Sequence, residues 1–403
     1  MMTPATHPPT LEKTPEFSLV LGGGLFRLFH KAHLSGDALE LAYRRILVLV
    51  LITWVPLLVL SAMEGAALGG TLRIPFLYDI ETHVRLLVAL PCLIAGERVV
   101  HLRMQTAVRR FADRGIVVPE DMAKFNAAIR STMRVSGSVA LEVGLLILVA
   151  ILGQWIWRTY VALDAGSWYA RPQGAGGADE PIHLTLAGRW NAFVSITVFQ
   201  FILMRWYLRM ILWLGFLGKV SRLNLRLVAT HPDRTGGIGF LGTSSFAFGP
   251  VLFAQGALLS GLIANRIFYD GHKLLDYKLE AAAFVLFFVT LVLGPLLVFM
   301  PSLALARRQG LRDYGLLASR YVDGFDRKWI GPSASGELLG SPDIQSLADM
   351  GNSYAVVREM RIVPFGTKQV VSLAAVAAVP LVPLLLTMFS LEELVVQLIK
   401  VLF

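Results

Sequence analysis

The chain has 403 residues, of which 55% are hydrophobic and only 16% are charged. A soluble globular protein carries about 25% charged residues, so this composition, with its apolar runs of about 20 residues, excludes an ordinary cytosolic enzyme and a disordered chain. The formal net charge of +9 is typical of basic cytoplasmic loops next to anionic lipid, and we expect no nucleic-acid partner. The sequence therefore predicts an all-α, polytopic transmembrane helix bundle.

Residues 1–45 are predicted to form a cytoplasmic N-terminal tail. Its first part is polar and rich in proline, and no cleavable signal peptide is evident. The apolar stretch Leu19–Phe29 is too short to cross a bilayer. We therefore expect this stretch to lie in the membrane interface.

Seven apolar segments follow, and six of them fall within a predicted transmembrane bundle at 46–305. The second segment is short, and the seventh contains Pro380 and Pro383, which indicate either a broken span or a hairpin. About seven spans are therefore predicted, with six to eight left open. The segments are Ile46–Ala66, Arg85–Val100, Val135–Trp157, Trp190–Gly218, Phe246–Phe268, Ala281–Leu305 and Val370–Phe389.

The positive charges alternate between the connections of these spans. The N-terminus and every second connection hold 26 Lys and Arg residues, whereas the other connections hold eight. By the positive-inside rule, the N-terminus is cytoplasmic. The location that fits is a bacterial inner membrane, and we expect anionic lipid at the basic cytoplasmic loops.

Three connecting or terminal regions are predicted to be helical. A cytoplasmic loop at 101–134 has Pro119 at a helix start, and residues 306–368 form a cytoplasmic helical segment in which Ser341 and Pro342 begin a second helix. Residues 369–403 hold the seventh span or hairpin and a C-terminal amphipathic helix. These patterns predict cytoplasmic amphipathic helices beside the bundle.

Charged residues inside the predicted spans are the strongest functional signal, because each costs at least about 2.5 kcal/mol to insert. Arg205 and Arg209 are four residues apart in the fourth span, so they lie on one helix face. Asn191 and Ser195 extend that face into a polar stripe. The stripe lines a path for anions, holds an acidic lipid or substrate, or pairs with carboxylates on neighbouring spans.

Two carboxylates are available at a similar depth. A rise of 1.5 Å per residue brings Glu97 and Glu142 level with Arg209, in the cytoplasmic half of the membrane. A guanidinium nearby would keep such a carboxylate ionised and reduce the cost of burying it. We predict a charge cluster of Glu97, Glu142 and Arg209 that joins spans two, three and four, with Arg98 and Arg205 at its margins.

One cytoplasmic loop combines several reactive groups. Its sequence, HPDRTGGIGFLG from His231 to Gly242, places a base, a carboxylate and a guanidinium beside flexible glycines. The residues His231, Asp233 and Arg234 are candidates for a regulatory or substrate contact, and the backbone N–H groups could cradle a phosphate. The alternative is a tight turn that reconnects two spans.

No catalytic motif or metal-ligand spacing is visible, so we expect no metal, no cofactor and no assigned catalytic residue. The best interpretation is a channel or transporter for an ion, with an anion favoured, or for a small solute. A membrane scaffold or sensor and an integral-membrane enzyme that modifies lipid are the alternatives. A homo-oligomer is predicted, since channels with few spans often form a pore between copies.

Overall fold

The computed structural model describes residues 15–22, 24, 41–69, 72–153, 155, 167–172, 182–331 and 340–388. Within these residues the fold is all-α apart from one short antiparallel hairpin. Where two helical segments follow each other without a gap, one label covers both. The elements are α1 (Ala42–Met63), α2 (80–113), α3 (Pro119–Ser136), α4 (Val139–Gly153), β1 (Ala170–Pro172), β2 (Ile182–Leu184), α5 (Leu186–Val220), α6 (Phe240–Asp270), α7 (Leu274–Trp329), α8 (Pro342–Arg358) and α9 (Thr367–Met388).

Five of these helices, α1, α5, α6, α7 and α9, are long and apolar enough to cross a membrane. A sixth candidate arises if α3 and α4, which meet at a bend of 46°, form one broken span. This confirms a protein with several apolar helices of membrane-spanning length. The predicted second span belongs to α2, which is not among the candidates because charged residues such as Glu97 and Arg98 interrupt its apolar part.

The two ends of the chain differ in part from expectation. Phe17, Leu19 and Val20 are buried, and the Phe17 ring packs on Trp213 and Phe216 of α5, so this stretch joins the core. The rest of the predicted interfacial helix, 25–29, lies outside the described residues. Near the C-terminus, α9 runs as one helix through both prolines and ends in a 3₁₀ segment, Val379–Met388. The predicted C-terminal amphipathic helix lies outside the described residues.

The connections gather at two ends of the bundle. At one, which we call the basic end, the segment before α3, the loop after α5 and the segment after α8 meet: Arg226 N–H donates to the Ile116 carbonyl, and Arg361 N–H donates to the Arg234 carbonyl. The other, the hairpin end, carries β1 and β2. There the Asp79 carboxylate accepts hydrogen bonds from the side chains of Trp168 and Asn265 and from the backbone N–H and hydroxyl groups of Thr82.

The core lies between α2, α5, α6 and α7, and α9 packs closely on α6. Gly256 of α6 permits this approach, because a Cβ there would lie 2.1 Å from the Ala377 carbonyl oxygen of α9. Small residues let transmembrane helix backbones come together in this way.

We expect Gly256→Ala to destabilise the protein by about 1–3 kcal/mol, because the backbone of α9 must move away. The measurement is the free energy of unfolding in mixed micelles. Gly215→Ala is the matched control, since a Cβ at Gly215 meets nothing within 4 Å and alanine favours a helix by about 0.5–1 kcal/mol. Equal stability of the two variants would contradict close contact between α6 and α9.

Candidate functional site

Three guanidinium groups surround the carboxylate of Glu97. Arg209 Nη2 donates to Glu97 Oε1 over 2.7 Å, and Arg205 Nη1 lies 4.0 Å from the same oxygen. Arg45, at the start of α1, donates to the other oxygen, Oε2. All four side chains are at most about one-tenth exposed. One carboxylate therefore ties α1, α2 and α5 together in a dry environment, where charged hydrogen bonds are strong.

A second carboxylate extends this cluster to α4. Glu142 Oε1 lies 3.3 Å from Arg205 Nη2, and both side chains are 10% exposed. The Arg209 guanidinium also lies over the Trp206 ring, 4.8 Å from its centre. We call Arg45, Glu97, Glu142, Arg205 and Arg209 the charge cluster.

Glu97, Glu142 and Arg209, which the sequence places at similar depths, all belong to the charge cluster, and Arg205, expected at its margin, lies within it. Arg209 contacts Glu97, and Glu142 contacts Arg205, because matching depths along helices do not determine which faces meet. Arg98 is exposed and lies outside the cluster, since successive helical residues point about 100° apart. The sequence gives no signal for Arg45, because this residue precedes the first apolar run, where an arginine is typical of a cytoplasmic flank.

The polar stripe of α5 faces the protein interior. Asn191 is 3% exposed and Ser195 is fully buried. The Ser195 hydroxyl donates to the Thr53 carbonyl of α1 over 2.6 Å. This bond lies in the half of α5 near the hairpin end, so it is separate from the charge cluster and serves to join α1 to α5.

Little space for solvent remains beside the two arginines. A cavity of about 10 Å³ is lined by residues that include Ser136, Glu142, Arg205 and Arg209. This volume holds about one water molecule. Arg209 Nη1 finds no hydrogen-bond partner among the described residues. In the described part of the chain, the arginines therefore face carboxylates and a water-sized space.

A much larger cavity, of about 410 Å³, lies between α2, α4, α5, α6 and α7. Its volume falls within the range of roughly 300–1,000 Å³ that is typical of ligand sites. The polar side chains at its wall are Glu81, Arg85, Gln200 and Gln255. The remaining lining is glycine and apolar side chains, namely Leu148, Val149, Leu152, Gly153, Ile196, Phe199, Leu203, Met204, Leu258, Leu259, Leu262 and Phe284.

The positions of these residues show how the large cavity is oriented. Glu81 and Arg85 lie in the first turns of α2, at the hairpin end. Met204 of α5 lines the cavity, and the next residue, Arg205, belongs to the charge cluster. Along the helices, the cavity thus extends from the hairpin end to the level of Arg205, which does not itself line it. Leu148, Leu152 and Leu262 at its rim are 42–49% exposed, so it is open on the surface of the bundle.

The loop His231–Gly242 folds around its own carboxylate. Asp233 accepts hydrogen bonds from the backbone N–H groups of Thr235, Gly237 and Gly239 over 2.8–3.1 Å. His231 Nδ1 lies 2.9 Å from Asp233 Oδ1. These N–H groups, which could have bound a phosphate, already have an acceptor. The arrangement therefore favours the tight-turn interpretation of the loop.

The loop is also fastened to the segment after α8. Arg234, with a left-handed φ of 55°, forms an ion pair with Glu359, and Arg361 donates to the Asp233 carbonyl. Burial alone would raise the pKa of Asp233, but the three backbone hydrogen bonds and His231 lower it below its usual value. The carboxylate thus stays ionised and holds the loop closed.

We expect Asp233→Asn to open this loop at a local cost of about 1–3 kcal/mol, because one amide oxygen cannot replace two carboxylate oxygens. Since the folded pKa is lowered, the stabilisation is present above the ordinary pKa of about 3.9 and is lost as the pH falls through the folded value. Hydrogen exchange at Thr235, Gly237 and Gly239, corrected for intrinsic rates, measures the opening. The exposed Asp313→Asn is the control, and equal protection in both variants would contradict the expectation.

Among the described residues, no group of three or more His, Cys, Asp or Glu residues could hold a metal ion. No protein-family model matches the sequence. Comparisons with curated proteins and with solved structures likewise found no match.

Proposed function

We propose that the protein is a membrane transporter for a small amphiphilic solute, which binds in the large cavity between α2, α4, α5, α6 and α7. The observation that carries the proposal is the position of this cavity. It lies between three helices of membrane-spanning length, α5, α6 and α7, together with α2 and α4, is lined mainly by apolar side chains, and reaches the level of the charge cluster along α5. Apolar cavities with a few polar groups are the usual form of small-molecule sites.

In this proposal the charge cluster is the barrier on the basic side of the cavity. Its guanidiniums are paired with Glu97 and Glu142, and the space beside them is water-sized. Moving a solute past this layer requires the ion pairs to separate, which is costly in a dry environment. This pairing gives less support to an anion channel, in which Arg205 and Arg209 would face a hydrated path.

We further propose a topology of seven spans with the N-terminus in the cytoplasm of a bacterial cell. α2 would be the additional span, because charged residues are tolerated in a membrane helix when they face other helices. Its Leu90 and Leu93 are fully buried and Glu97 is 6% exposed, which supports this position. The basic end would then be cytoplasmic, with α8 and the C-terminal part of α7 as cytoplasmic helices that contact anionic lipid.

The alternative functions, a scaffold or sensor and a lipid-modifying enzyme, remain predictions. A scaffold or sensor would use the packed pair α7 and α8 to hold a partner, and cross-linking through these helices would test it. A lipid-modifying enzyme would need His231 and Asp233 for its chemistry, whereas Asp233 is occupied by backbone hydrogen bonds. Transport through the large cavity does not require a homo-oligomer, because the residues that line the cavity belong to one chain.

Reconstitution into liposomes tests the proposed function. Short-chain fluorescent amphiphiles with anionic, zwitterionic or cationic head groups are placed in both leaflets, and dithionite quenching from outside reports their movement. Chloride flux is measured in parallel. We expect at least one amphiphile to cross faster than in protein-free liposomes, with no chloride flux. Chloride flux alone would support the anion channel instead, and the absence of both would overturn the transport proposal.

A further inference from the structure

The large cavity contains one ion pair, formed by Glu81 and Arg85. These residues are four positions apart on α2, and Arg85 Nη2 donates to Glu81 Oε1. Their side chains are 24% and 16% exposed, and both line the cavity. Because both side chains are partly exposed, water competes for the ion pair and weakens it. A ligand that offers both charges can therefore replace the bond between them at little cost.

The location of the pair matches the head group of a lipid. Glu81 and Arg85 lie at the hairpin end, where α2 begins after its N-cap, Asp79. The apolar wall extends from there towards Met204, and the leucines at the rim leave the cavity open on the outer surface of the bundle. An acyl chain from the neighbouring leaflet can enter sideways while its head group stays at the level of the ion pair.

We infer that the large cavity binds one acyl chain of a zwitterionic phospholipid-type amphiphile, with its phosphate at Arg85 and its ammonium group at Glu81. This inference rests on the proposed transport function and names its substrate class. Arginine is well suited to phosphate, and a carboxylate complements an ammonium group. A head group with one charge would leave either Glu81 or Arg85 without a partner, which disfavours its binding.

Binding to the purified full-length protein tests the substrate class separately from transport. The probes are lysophosphatidylcholine, lysophosphatidylglycerol and an alkyltrimethylammonium salt of equal chain length, together with phosphocholine, which has no chain. We expect the wild type to prefer the zwitterionic probe about tenfold over either singly charged probe, and to bind phosphocholine far more weakly. Equal binding of all three chains, or tight binding of phosphocholine, would overturn the inference.

Changes to the ion pair make the test specific. Glu81→Gln should shift the preference to the anionic probe, and Arg85→Gln should shift it to the cationic probe. The exchanged pair E81R/R85E should keep a zwitterion preference within about threefold of the wild type, because both charges remain. Glu280→Gln, at an exposed residue of the hairpin end, is the control. A Glu81→Gln variant whose preference is unchanged would contradict head-group recognition by this pair.

The two proposals can fail separately. If amphiphiles cross liposomes but the probes bind without any head-group preference, transport stands and the substrate class is wrong. If no amphiphile crosses but the zwitterionic probe binds preferentially, the site is a lipid-binding site in a protein that does not transport. If none of the probes with an acyl or alkyl chain binds and no amphiphile crosses the liposome membrane, both proposals are overturned.

Discussion

Glu97→Gln is expected to lower the free energy of unfolding by about 3–5 kcal/mol, the typical cost of removing one partner from a buried ion pair. Three guanidiniums, those of Arg45, Arg205 and Arg209, lie against this carboxylate. The substitution keeps the shape of the side chain but removes its charge, so these buried cations repel one another. Unfolding in mixed micelles, followed by tryptophan fluorescence, measures the change.

Glu280→Gln provides the matched control, because Glu280 is exposed near the start of α7. Its effect should stay within about 0.5 kcal/mol, as for most surface substitutions. If Glu97→Gln and Glu280→Gln lower the free energy of unfolding by the same small amount, the carboxylate of Glu97 does not compensate buried charge. The charge cluster would then be no barrier.

Filling the large cavity should stop transport while leaving the fold intact. Leu259 of α6 lines the middle of the cavity, and a tryptophan there would occupy space that the solute needs. We expect Leu259→Trp to reduce amphiphile movement at least about tenfold, which corresponds to 1.4 kcal/mol. Dithionite quenching of fluorescent amphiphiles in liposomes measures the rate. Overpacking costs about 1–3 kcal/mol, so the folded fraction is checked by size-exclusion chromatography.

Leu286→Trp controls for the change of residue type. Leu286 lies on α7 and is 69% exposed, so a larger side chain there projects away from the bundle. Liposomes that contain the Leu286→Trp variant should move the fluorescent amphiphiles at the wild-type rate. A Leu259→Trp variant that folds and transports at the wild-type rate would show that the large cavity is not on the path of the solute.

Hydropathy is enough to predict an all-α protein with several apolar helices, because membrane-spanning helices need long runs of apolar residues. α2 shows the limit of this signal. Its buried residues Leu90, Leu93 and Glu97 belong to one helix of 80–113, yet charged residues, the buried Glu97 and the exposed Arg98 among them, lower its hydropathy. A helix surrounded by protein does not need an apolar surface on all sides.

The functional features depend on which helix faces meet, and a single sequence does not contain that information. Spacing indicates that Arg205 and Arg209 share one helix face, but depth along the helices does not tell which carboxylate, Glu97 or Glu142, each arginine contacts. Arg45 gives no signal, since an arginine before a span usually lies at the membrane surface. The large cavity is formed by five helices that are distant in sequence, so no local pattern predicts it.

A double-mutant cycle on Glu97 and Arg209 tests the central claim, that carboxylates hold the buried arginines in a closed layer. Glu97→Gln and Arg209→Gln are measured singly and together in mixed micelles. The account predicts that the double variant is more stable than the summed single effects by about 1–3 kcal/mol, as for residues in contact. The exposed pair Arg234 and Glu359 should give less than about 1 kcal/mol. Additive effects of Glu97 and Arg209 would contradict the account.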